Sequence, residues 1–554
     1  MEYPTTSSLL SWIIFTPLLG LGAILAMLAL RPALRLAEAS LDNAARAIGL
    51  AATAITFVLT LALWAGFDGG RPGLQFVQHA VWMRSWAVEY FVGVDGLSIA
   101  MVILTSFIFL VGAIASVPWW GRLDDAHHPH FSKKRVPAYW ILFLLLEVGV
   151  LGTFSAQDFF LFYIFWEVML LPMYFLIGIW GAPPRVEADG RVRGGPYAAI
   201  KFFLYTLAGS VLMLLAMIAM YFTSGPAKLV DGTATAHTFN LVYLTEMGRQ
   251  GLFAGANPIL GLEFIKVVFI ALFIGFAIKV PMFPFHTWLP DAHVDAPTPI
   301  SVILAGILLK TGMYGIFRFN FQILPQAMEW AVWGIALFGV INIVYGAFVC
   351  MAQKDLKKLI AYSSVSHMGF CLLGLAALTP QGLAGSMFQM FSHGIISPAL
   401  FLIAGVIYDR AHTREINGFG GLASRLPEYA GLTGLAFMAS LGLPGLAGFI
   451  GEVLVFLGAF GAPGGMLRPL VAIGALALII TAGYYLWTMQ RMFLGPLNEK
   501  WSHLWDMTWR ERLTLYPLAA LTVLFGVYPT PIFQLINGTL QHLLKTMPVM
   551  AGLM

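Results

Sequence analysis

Long apolar stretches separated by short polar ones run along almost the whole sequence. A helix needs about 20 predominantly apolar residues to cross the hydrocarbon core of a bilayer. We therefore predict about fourteen transmembrane helices, and with them an all-α polytopic membrane protein. The predicted spans are residues 9–30, 47–66, 91–117, 138–154, 157–181, 197–223, 262–283, 298–320, 325–351, 358–378, 381–408, 427–459, 468–494 and 513–535.

Composition supports the same class of protein. Of the 554 residues, 59% are hydrophobic and only 10% are charged, and the mean hydropathy is +0.81, whereas a soluble domain carries about 25% charged residues. The expected surroundings are a lipid bilayer. The formal net charge of +4 gives no reason to expect a nucleic-acid partner, because most basic residues lie in short loops that set membrane topology.

The sequence contains no pattern typical of a bound cofactor or metal. Cys350 and Cys371 lie in different predicted helices and form no CxxC pair, which argues against a cysteine-ligated group. There is no Gly-rich phosphate loop and no HExxH motif. The loop from Asp124 to Arg135 is rich in histidine, but we interpret it as a solvated cytoplasmic loop. We expect no cofactor and no metal in this chain.

Lysine and arginine predict the orientation in the membrane. Most of the 31 basic residues lie in loops that follow odd-numbered predicted spans. The positive-inside rule places those loops in the cytoplasm and both termini on the outer, periplasmic side. Neither a cleavable signal nor an Arg/Ser-rich transit segment is evident, which favours a bacterial plasma (inner) membrane.

Two predicted helices are interrupted at related positions. The seventh breaks at Pro281 and Pro284, and the twelfth breaks around Leu441 to Gly448. Five spans separate them, and an odd offset turns the second copy upside down, as in transporters with inverted repeats and a midplane site. We predict two inverted five-helix repeats, residues 138–320 and 321–495, after an N-terminal three-helix segment (1–137) and before a C-terminal helix and tail (496–554).

Charged residues inside the predicted spans indicate an ion path. An ammonium at the bilayer centre costs about 2.5–3.5 kcal/mol on insertion scales, yet Lys279 and Lys310 lie deep in spans seven and eight. Glu167, in the middle of span five, is the natural opposite charge for Lys279. Such a pair can act as a gated proton carrier, because loss of the carboxylate partner lowers the proton affinity of a buried lysine. The alternative is a structural ion pair between helices.

Two histidines and a second glutamate extend this series into the second half. His367 follows a run of serines in span ten, and His393 lies beside a serine in span eleven. Histidine exchanges protons near neutral pH, so the two are candidate relays, with hydrogen-bonded core residues as the alternative. Glu452 follows the break in span twelve and is a candidate exit group, or else a structural carboxylate.

Other polar residues carry weaker predictions. His286 follows the break in span seven, and protons are expected to enter near it or at the cytoplasmic end of spans seven and eight. Glu147, in span four, belongs to the path or pairs with a lysine. Asp291, His293 and Asp295 are interpreted as a polar turn at a helix end rather than as ligands. Lys201 and Lys266 lie near span ends and are expected to reach the membrane surface.

Five longer motifs stand out in the sequence: WEVMLLPMYFLIGIWG, KVPMFPFHTWLPDAHVDAPT, SVILAGILLKTGMYGIFRF, DLKKLIAYSSVSHMGF and GLPGLAGFIGE. They resemble the antiporter-like membrane subunits of respiratory NADH–quinone oxidoreductase, complex I. The likeness runs from about Asp95 to Arg491, and the LPDAH turn and Glu452 favour the M group of these subunits over its paralogues.

The resemblance implies a fourteen-helix proton channel driven by quinone reduction elsewhere in an assembly. The partners would be paralogous antiporter-like subunits and small membrane subunits, and NADH, FMN, iron–sulfur clusters and quinone would be bound by partner subunits. One departure is the sequence from Ile395 to Pro398, where a proline-free stretch is expected, and it predicts a shifted helix break. By resemblance, the proton path comprises Glu167, Lys279, Lys310, His367, His393 and Glu452.

Two other functions remain open at this point. Cation/proton antiporters and membrane-bound hydrogenases have subunits of the same fold. A purely structural span that has lost transport is also conceivable, although buried charges without a function would be costly to retain.

Overall fold

The computed structural model describes residues 3–34, 37–117, 135–186, 190–259 and 261–545. The helices are α1 (Leu9–Leu34), α2 (Glu38–Gly66), α3 (Ile99–Ser116), α4 (Val136–Ser155), α5 (Phe159–Trp180), α6 (Gly195–Thr223), α7 (Leu241–Arg249), α8 (Phe264–Lys279), α9 (Trp288–Asp295), α10 (Thr298–Ile303), α11 (Leu309–Gly315), α12 (Pro325–Met351), α13 (Leu356–Ala376), α14 (Pro380–Ala411), α15 (Pro427–Ser440), α16 (Ala447–Phe460), α17 (Arg468–Phe493), α18 (Trp509–Val527) and α19 (Thr530–Lys545). The strands are β1 (Gln75–Met83), β2 (Val88–Val94), β3 (Arg185–Val186), β4 (Val192–Arg193), β5 (Ala227–Lys228) and β6 (Ala234–Thr235).

The multi-pass prediction is confirmed at the level of fold class. Within the described residues, 11 helices are long and apolar enough to cross a membrane, or 12 when α18 and α19 are counted as one bent span. The predicted spans outside the 11 are the seventh, the twelfth and the fourteenth, and in each the helix is interrupted. The sequence predicts the breaks in spans seven and twelve, whereas it predicts span fourteen as one continuous helix.

The third predicted span needs a correction, because its first residues are not helical. Val88–Val94 form strand β2, which pairs antiparallel with β1 in a hairpin. The helix begins only at Ile99, after a turn in which the Asp95 carboxylate accepts hydrogen bonds from the backbone N–H groups of Leu97 and Ser98. The fold is therefore mostly helical rather than purely helical, with three two-stranded pairings at the loops.

The fourteenth predicted span, 513–535, is also corrected. Helix α18 ends at Val527 and α19 begins at Thr530, and the two are bent by 65°. Pro529 lies in the break, where a proline removes a backbone donor and interrupts the helix. Helix α19 packs against the start of α3, and Gly96 N–H donates to Thr539 Oγ1 at 2.9 Å.

The most deeply buried helices form the centre of the molecule. Helices α13 and α14, and the continuous helical segment 298–321, are almost completely enclosed by protein. Outer helices such as α1, α6 and α17 expose large apolar side chains, among them Trp12, Leu215 and Leu476. Because lipid-facing surfaces are apolar, the polar residues of the spans collect in the enclosed centre.

The predicted breaks in spans seven and twelve are present. Helix α8 ends at Lys279, and the chain turns until α9 begins at Trp288. Neighbouring side chains satisfy the freed backbone: Asn342 Oδ1 accepts from Phe283 N–H at 2.8 Å, and Trp288 Nε1 donates to the Ile278 carbonyl at 2.9 Å. The second break separates α15 from α16. Irregular backbone at membrane depth is tolerated only with such internal partners.

The segment 298–321 is a helix with two π-helical stretches. Leu304–Leu308 and Ile316–Phe321 are wound as π-helix on either side of α11, which carries Lys310. Wider turns of this kind occur frequently at functional sites.

Candidate functional site

Four of the predicted residues come together in the enclosed centre. Lys310 Nζ lies 2.7 Å from His393 Nδ1, and the rings of His393 and His367 are 5.6 Å apart between centroids. His367 Nδ1 lies 3.4 Å from Glu452 Oε1. All four side chains are at most 4% exposed. They form one continuous row, which we call the central row.

The Lys310 ammonium is held by one backbone carbonyl and one imidazole. Besides His393 Nδ1, its Nζ contacts the carbonyl oxygen of Ala305 in the preceding π-helical stretch. An ammonium can only donate, so Nδ1 of His393 accepts and its proton sits on Nε2. Nε2 has no hydrogen-bond partner among the described residues. Lys310 can therefore pass a proton to an imidazole whose far side is ready to release one.

His393 belongs to a helix that does not break. Helix α14 runs from Pro380 to Ala411 with Pro398 inside it. The shifted break expected from the sequence Ile395 to Pro398 is therefore wrong. Proline is tolerated within membrane helices because neighbouring groups can satisfy the carbonyl it leaves free. The continuous helix keeps His393 level with Lys310 and His367.

His367 has a different neighbour at each ring nitrogen. Its Nδ1 faces Glu452, and its Nε2 lies 3.0 Å from Ser440 Oγ at the end of α15. Glu452 enters from α16, on the far side of the break in span twelve. The break thus places the Ser440 hydroxyl, from one half-helix, and the Glu452 carboxylate, from the other, beside the same imidazole.

Lys279 lies apart from the central row, in an aromatic environment. It is the last residue of α8 and is 1% exposed. Its Nζ lies 4.9 Å from the centre of the Trp166 ring and 5.8 Å from the Phe202 ring, and it has no hydrogen-bond partner among the described residues. Cation–π contacts offset part of the cost of a buried ammonium.

Glu167, the predicted partner of Lys279, interacts with it electrostatically. The described residues include no ion pair within 4.0 Å between the two side chains. Glu167 is half-buried, and its Oε1 has no hydrogen-bond partner among them. The two charged groups interact electrostatically without a direct contact. Either group can therefore gain or lose a proton without breaking a direct bond.

The two weaker candidates, Glu147 and His286, lie outside the central row. Glu147 is fully buried in α4, and neither carboxyl oxygen has a hydrogen-bond or lysine partner among the described residues. His286 Nε2 lies 3.1 Å from the Tyr345 hydroxyl, and its Nδ1 has no partner there. The charge of Lys201 acts electrostatically on His286. The Lys201 ammonium pairs with Asp291 at 2.7 Å, near the surface.

Sequence reasoning missed His293 and Lys357. His293, interpreted as part of a polar turn, is 0% exposed and stacks on Phe401 at 4.2 Å. Neither ring nitrogen has a hydrogen-bond partner among the described residues, and the ring interacts electrostatically with Lys357 and Lys310. Lys357, which directly precedes predicted span ten, is 3% exposed and donates to the Ala296 carbonyl at 2.8 Å. The regular spacing of His293 with apolar neighbours in α9 was the available signal.

A buried ion pair was missed as well. Arg318 donates to both carboxylate oxygens of Asp95, at 2.7 and 2.8 Å, and also to the Tyr314 hydroxyl at 3.1 Å. Arg318 lies near the end of predicted span eight, 298–320. The pair ties the start of α3 to the second π-helical stretch, one helical region beyond Lys310.

Potential metal ligands have to be considered in the described residues and in the histidine-rich loop from Asp124 to Arg135. Among the described residues, no cluster of three or more potential ligands could hold a metal ion. The histidine-rich loop, except for Arg135, lies outside the described residues.

The arrangement can pass protons between titratable side chains without a cofactor. Lysine, histidine and glutamate can each hold or release a proton, and each imidazole can accept on one nitrogen and donate from the other. The 2.7 Å step permits direct transfer. The rings of His393 and His367 share no direct hydrogen bond in the described residues, since His393 Nε2 and His367 Nδ1 both lack a hydrogen-bond partner there, and a bridging water would connect them. The result is a buried row of titratable groups linking the middle of segment 298–321 to the break in span twelve.

Comparisons with known proteins find relatives over nearly the whole chain. A protein from Rhodobacter capsulatus named NADH-quinone oxidoreductase subunit M is 43% identical over 540 residues, which are 97% of this chain and 96% of that protein. A chain in the structure of respiratory complex I from Thermus thermophilus with bound NADH has a TM-score of 0.78 and 27% identity, covering 97% of this chain and 99% of that one.

The fold is also shared with a different complex. A chain of the Mrp complex from Dietzia sp. DQ12-45-1b has a TM-score of 0.77 and 20% identity, covering 98% of this chain and 99% of that one, which is a likeness of fold alone. The family model described as NADH:quinone oxidoreductase/Mrp antiporter, TM, matches residues 156–481, more than half of the sequence. The chain therefore belongs to the NADH:quinone oxidoreductase/Mrp antiporter transmembrane family.

Proposed function

We propose that this chain is the M subunit of a proton-translocating NADH–quinone oxidoreductase, complex I. It couples quinone reduction in partner subunits to outward movement of protons. The observation that carries the proposal is the central row: four buried titratable side chains, each close enough to the next for direct or water-bridged proton transfer, in a chain 43% identical to a subunit M over nearly its full length.

The proton path divides into a switch and a conductor. Lys279 is the switch, because its proton affinity depends on the charge of Glu167, with which it has no direct contact. The central row is the conductor, and Glu452 is its exit group. His286 beside Tyr345 serves the entry, and Glu147 is a further buried carboxyl of the first half. No residue of this chain carries out redox chemistry.

We propose the finer architecture on the same basis. The 11 uninterrupted helices together with interrupted spans seven, twelve and fourteen make fourteen spans. Residues 138–320 and 321–495 form two inverted five-helix repeats, each with one broken helix. Residues 1–137 precede them and 496–554 follow, with α18 and α19 in the last segment. The basic loops lie in the cytoplasm, both termini lie in the periplasm, and the membrane is a bacterial inner membrane.

The assembly supplies what this chain lacks. Paralogous antiporter-like subunits and small membrane subunits surround it, which agrees with the apolar outer faces of α1, α6 and α17. NADH, FMN, iron–sulfur clusters and quinone belong to partner subunits, and no nucleic acid is involved.

The function is tested by purifying the assembly through an affinity tag on this chain and reconstituting it in liposomes. We expect quinone-dependent NADH oxidation that moves protons in sodium-free buffer. An assembly that oxidises no NADH would contradict the proposal.

A second candidate function is a subunit of a cation/proton antiporter, which the family description and the shared fold favour. Its signature in the same experiment would be proton movement driven by a sodium gradient and independent of NADH.

A further inference from the structure

We propose that a row of hydroxyl groups forms a second proton connection, joining His367 to the cytoplasmic side of the membrane. The row consists of Ser440, Tyr485, Tyr484 and Thr488, and we call it the hydroxyl branch. It rests on the proposed function and adds an input to the second half of the chain that does not pass through Lys279 or Lys310.

The first two steps of the branch are hydrogen bonds. Ser440 Oγ lies 3.0 Å from His367 Nε2 and 2.6 Å from the Tyr485 hydroxyl. A hydroxyl is one donor and two acceptors, and its hydrogen rotates to suit either neighbour. A proton arriving at Tyr485 can therefore move to Ser440 and on to His367 while each oxygen passes its own proton forward. All of these side chains are buried.

The branch continues along α17 through groups that lack partners. The rings of Tyr485 and Tyr484 are 4.4 Å apart between centroids. The hydroxyls of Tyr484 and Thr488 are buried and have no hydrogen-bond partner among the described residues. They lie four residues apart and so share one face of the helix. Buried polar groups are normally satisfied, and water between these hydroxyls would satisfy both.

The direction of the branch follows from the helices that carry it. Helix α17 runs toward Arg491, and α12, which carries Cys350 in its last turn, ends just before Lys354. From Tyr484 to the end of α17 at Phe493 is about 14 Å at the usual rise per residue. The branch thus leads from the middle of the membrane toward the end where the basic residues gather.

The two ring nitrogens of His367 then have different roles. Its Nε2 receives protons from Ser440, and its Nδ1 passes them to Glu452, 3.4 Å away. An imidazole can do both in one cycle, because it binds a proton at one nitrogen and releases the other. The branch reloads His367 after each exit step.

The test compares Tyr485→Phe with Tyr429→Phe in the reconstituted complex. Tyr429 is an equally buried tyrosine, on α15, whose hydroxyl donates to the Ile403 carbonyl at 3.1 Å and has no contact with His367. Both changes remove one oxygen and keep the ring. Ser440→Ala is the second variant of the branch, and it leaves the tyrosines intact.

We expect Tyr485→Phe and Ser440→Ala each to slow coupled proton transfer about tenfold, the loss that corresponds to one interrupted hydrogen-bonded step. The double variant should be no slower than either single one, because both interrupt the same row. Tyr429→Phe should pump as wild type does. Assembly of each variant is measured by the NADH oxidation that survives when an uncoupler is added.

Wild-type pumping in both Tyr485→Phe and Ser440→Ala would overturn the branch and leave the proposed function standing. Equal losses in Tyr485→Phe and Tyr429→Phe would also overturn it, since the effect would then be one of packing. Wild-type complex without NADH-linked pumping would overturn the proposed function and the branch together.

Discussion

Replacing Gly442 by alanine should displace the exit carboxylate without touching it chemically. A Cβ built on Gly442 overlaps Glu452 Oε2 and lies 3.4 Å from its Cδ. Carbon and oxygen atoms pack at about 3.5 Å, so the carboxylate has to move by about 1 Å. It then loses its place beside His367 Nδ1, which is 3.4 Å away in the native arrangement. A shift of about 1 Å at a reacting group can lower a rate about 10²-fold.

Backbone strain has to be separated from this effect. Gly442 has a φ of +82°, where a side chain costs roughly 1–2 kcal/mol. Gly445 lies in the same break with a φ of +92°, and a Cβ built there has no atom within 4 Å. Gly445→Ala therefore carries the strain without the displacement and is the matched control.

The assay is the number of protons pumped per NADH by reconstituted complex at equal content. We expect Gly442→Ala to lose most of its pumping and Gly445→Ala to lose little, with similar thermal stability. If the two variants pump equally, the position of the Glu452 carboxylate does not limit transfer, and the reasoning is refuted.

Two further predictions concern stability. Asp95→Ala leaves the buried Arg318 guanidinium without its carboxylate and should destabilise the chain by about 3–5 kcal/mol, measured by thermal unfolding in detergent. Loss of the exposed Lys266–Glu263 pair should change stability little. Equal effects of the two changes would contradict this prediction. Glu89, in the β1–β2 hairpin, should make the hairpin sensitive to acid. Burial alone would raise the pKa of its carboxyl, but the His79 ring 3.0 Å away and hydrogen bonds from Asn240 and the Val230 N–H lower the pKa below its ordinary value of 4.5. A lowered folded-state pKa contributes stability that is fully present above the unfolded-state pKa and is lost as the pH falls through the folded-state one. Hydrogen exchange of residues 75–94 should therefore accelerate below about pH 4.5, and Glu89→Gln should abolish that dependence; an unchanged dependence in the variant would contradict it.

The predicted central row was recoverable from sequence because each member is polar in an apolar helix. Lys310, His367, His393 and Glu452 have no easy route to the membrane surface, and the energetic cost of burying them marks them individually. Their mutual distances were not recoverable, since they depend on how α11, α13, α14 and α16 pack. The same cost argument predicted Glu167 beside Lys279 but could not show that the two charges lack a direct contact.

The misses have a common physical cause. Asp95 and Arg318 are 223 residues apart, and neither looks buried when its own segment is considered alone. His293 and Lys357 lie at helix ends, where polar residues usually reach water, so burial by a third helix is invisible in the sequence. Tyr484 and Tyr485 raise no signal because their rings fit an apolar helix while their hydroxyls do not affect the pattern. The apolar strand β2 merges with the helix that follows it, which explains the wrong start of the third span.

The most direct test of the central claim compares two lysines of one helix. Lys279 is buried at the end of α8 without a hydrogen-bond partner among the described residues, and Lys266, near the start of α8, is about a third exposed and pairs with Glu263 at 2.9 Å. The measurement is NADH-driven acidification of inverted membrane vesicles at equal complex content. The account predicts that Lys279→Met greatly lowers acidification while Lys266→Met retains it. Full acidification with assembled Lys279→Met would contradict the claim that protons pass through the buried charges.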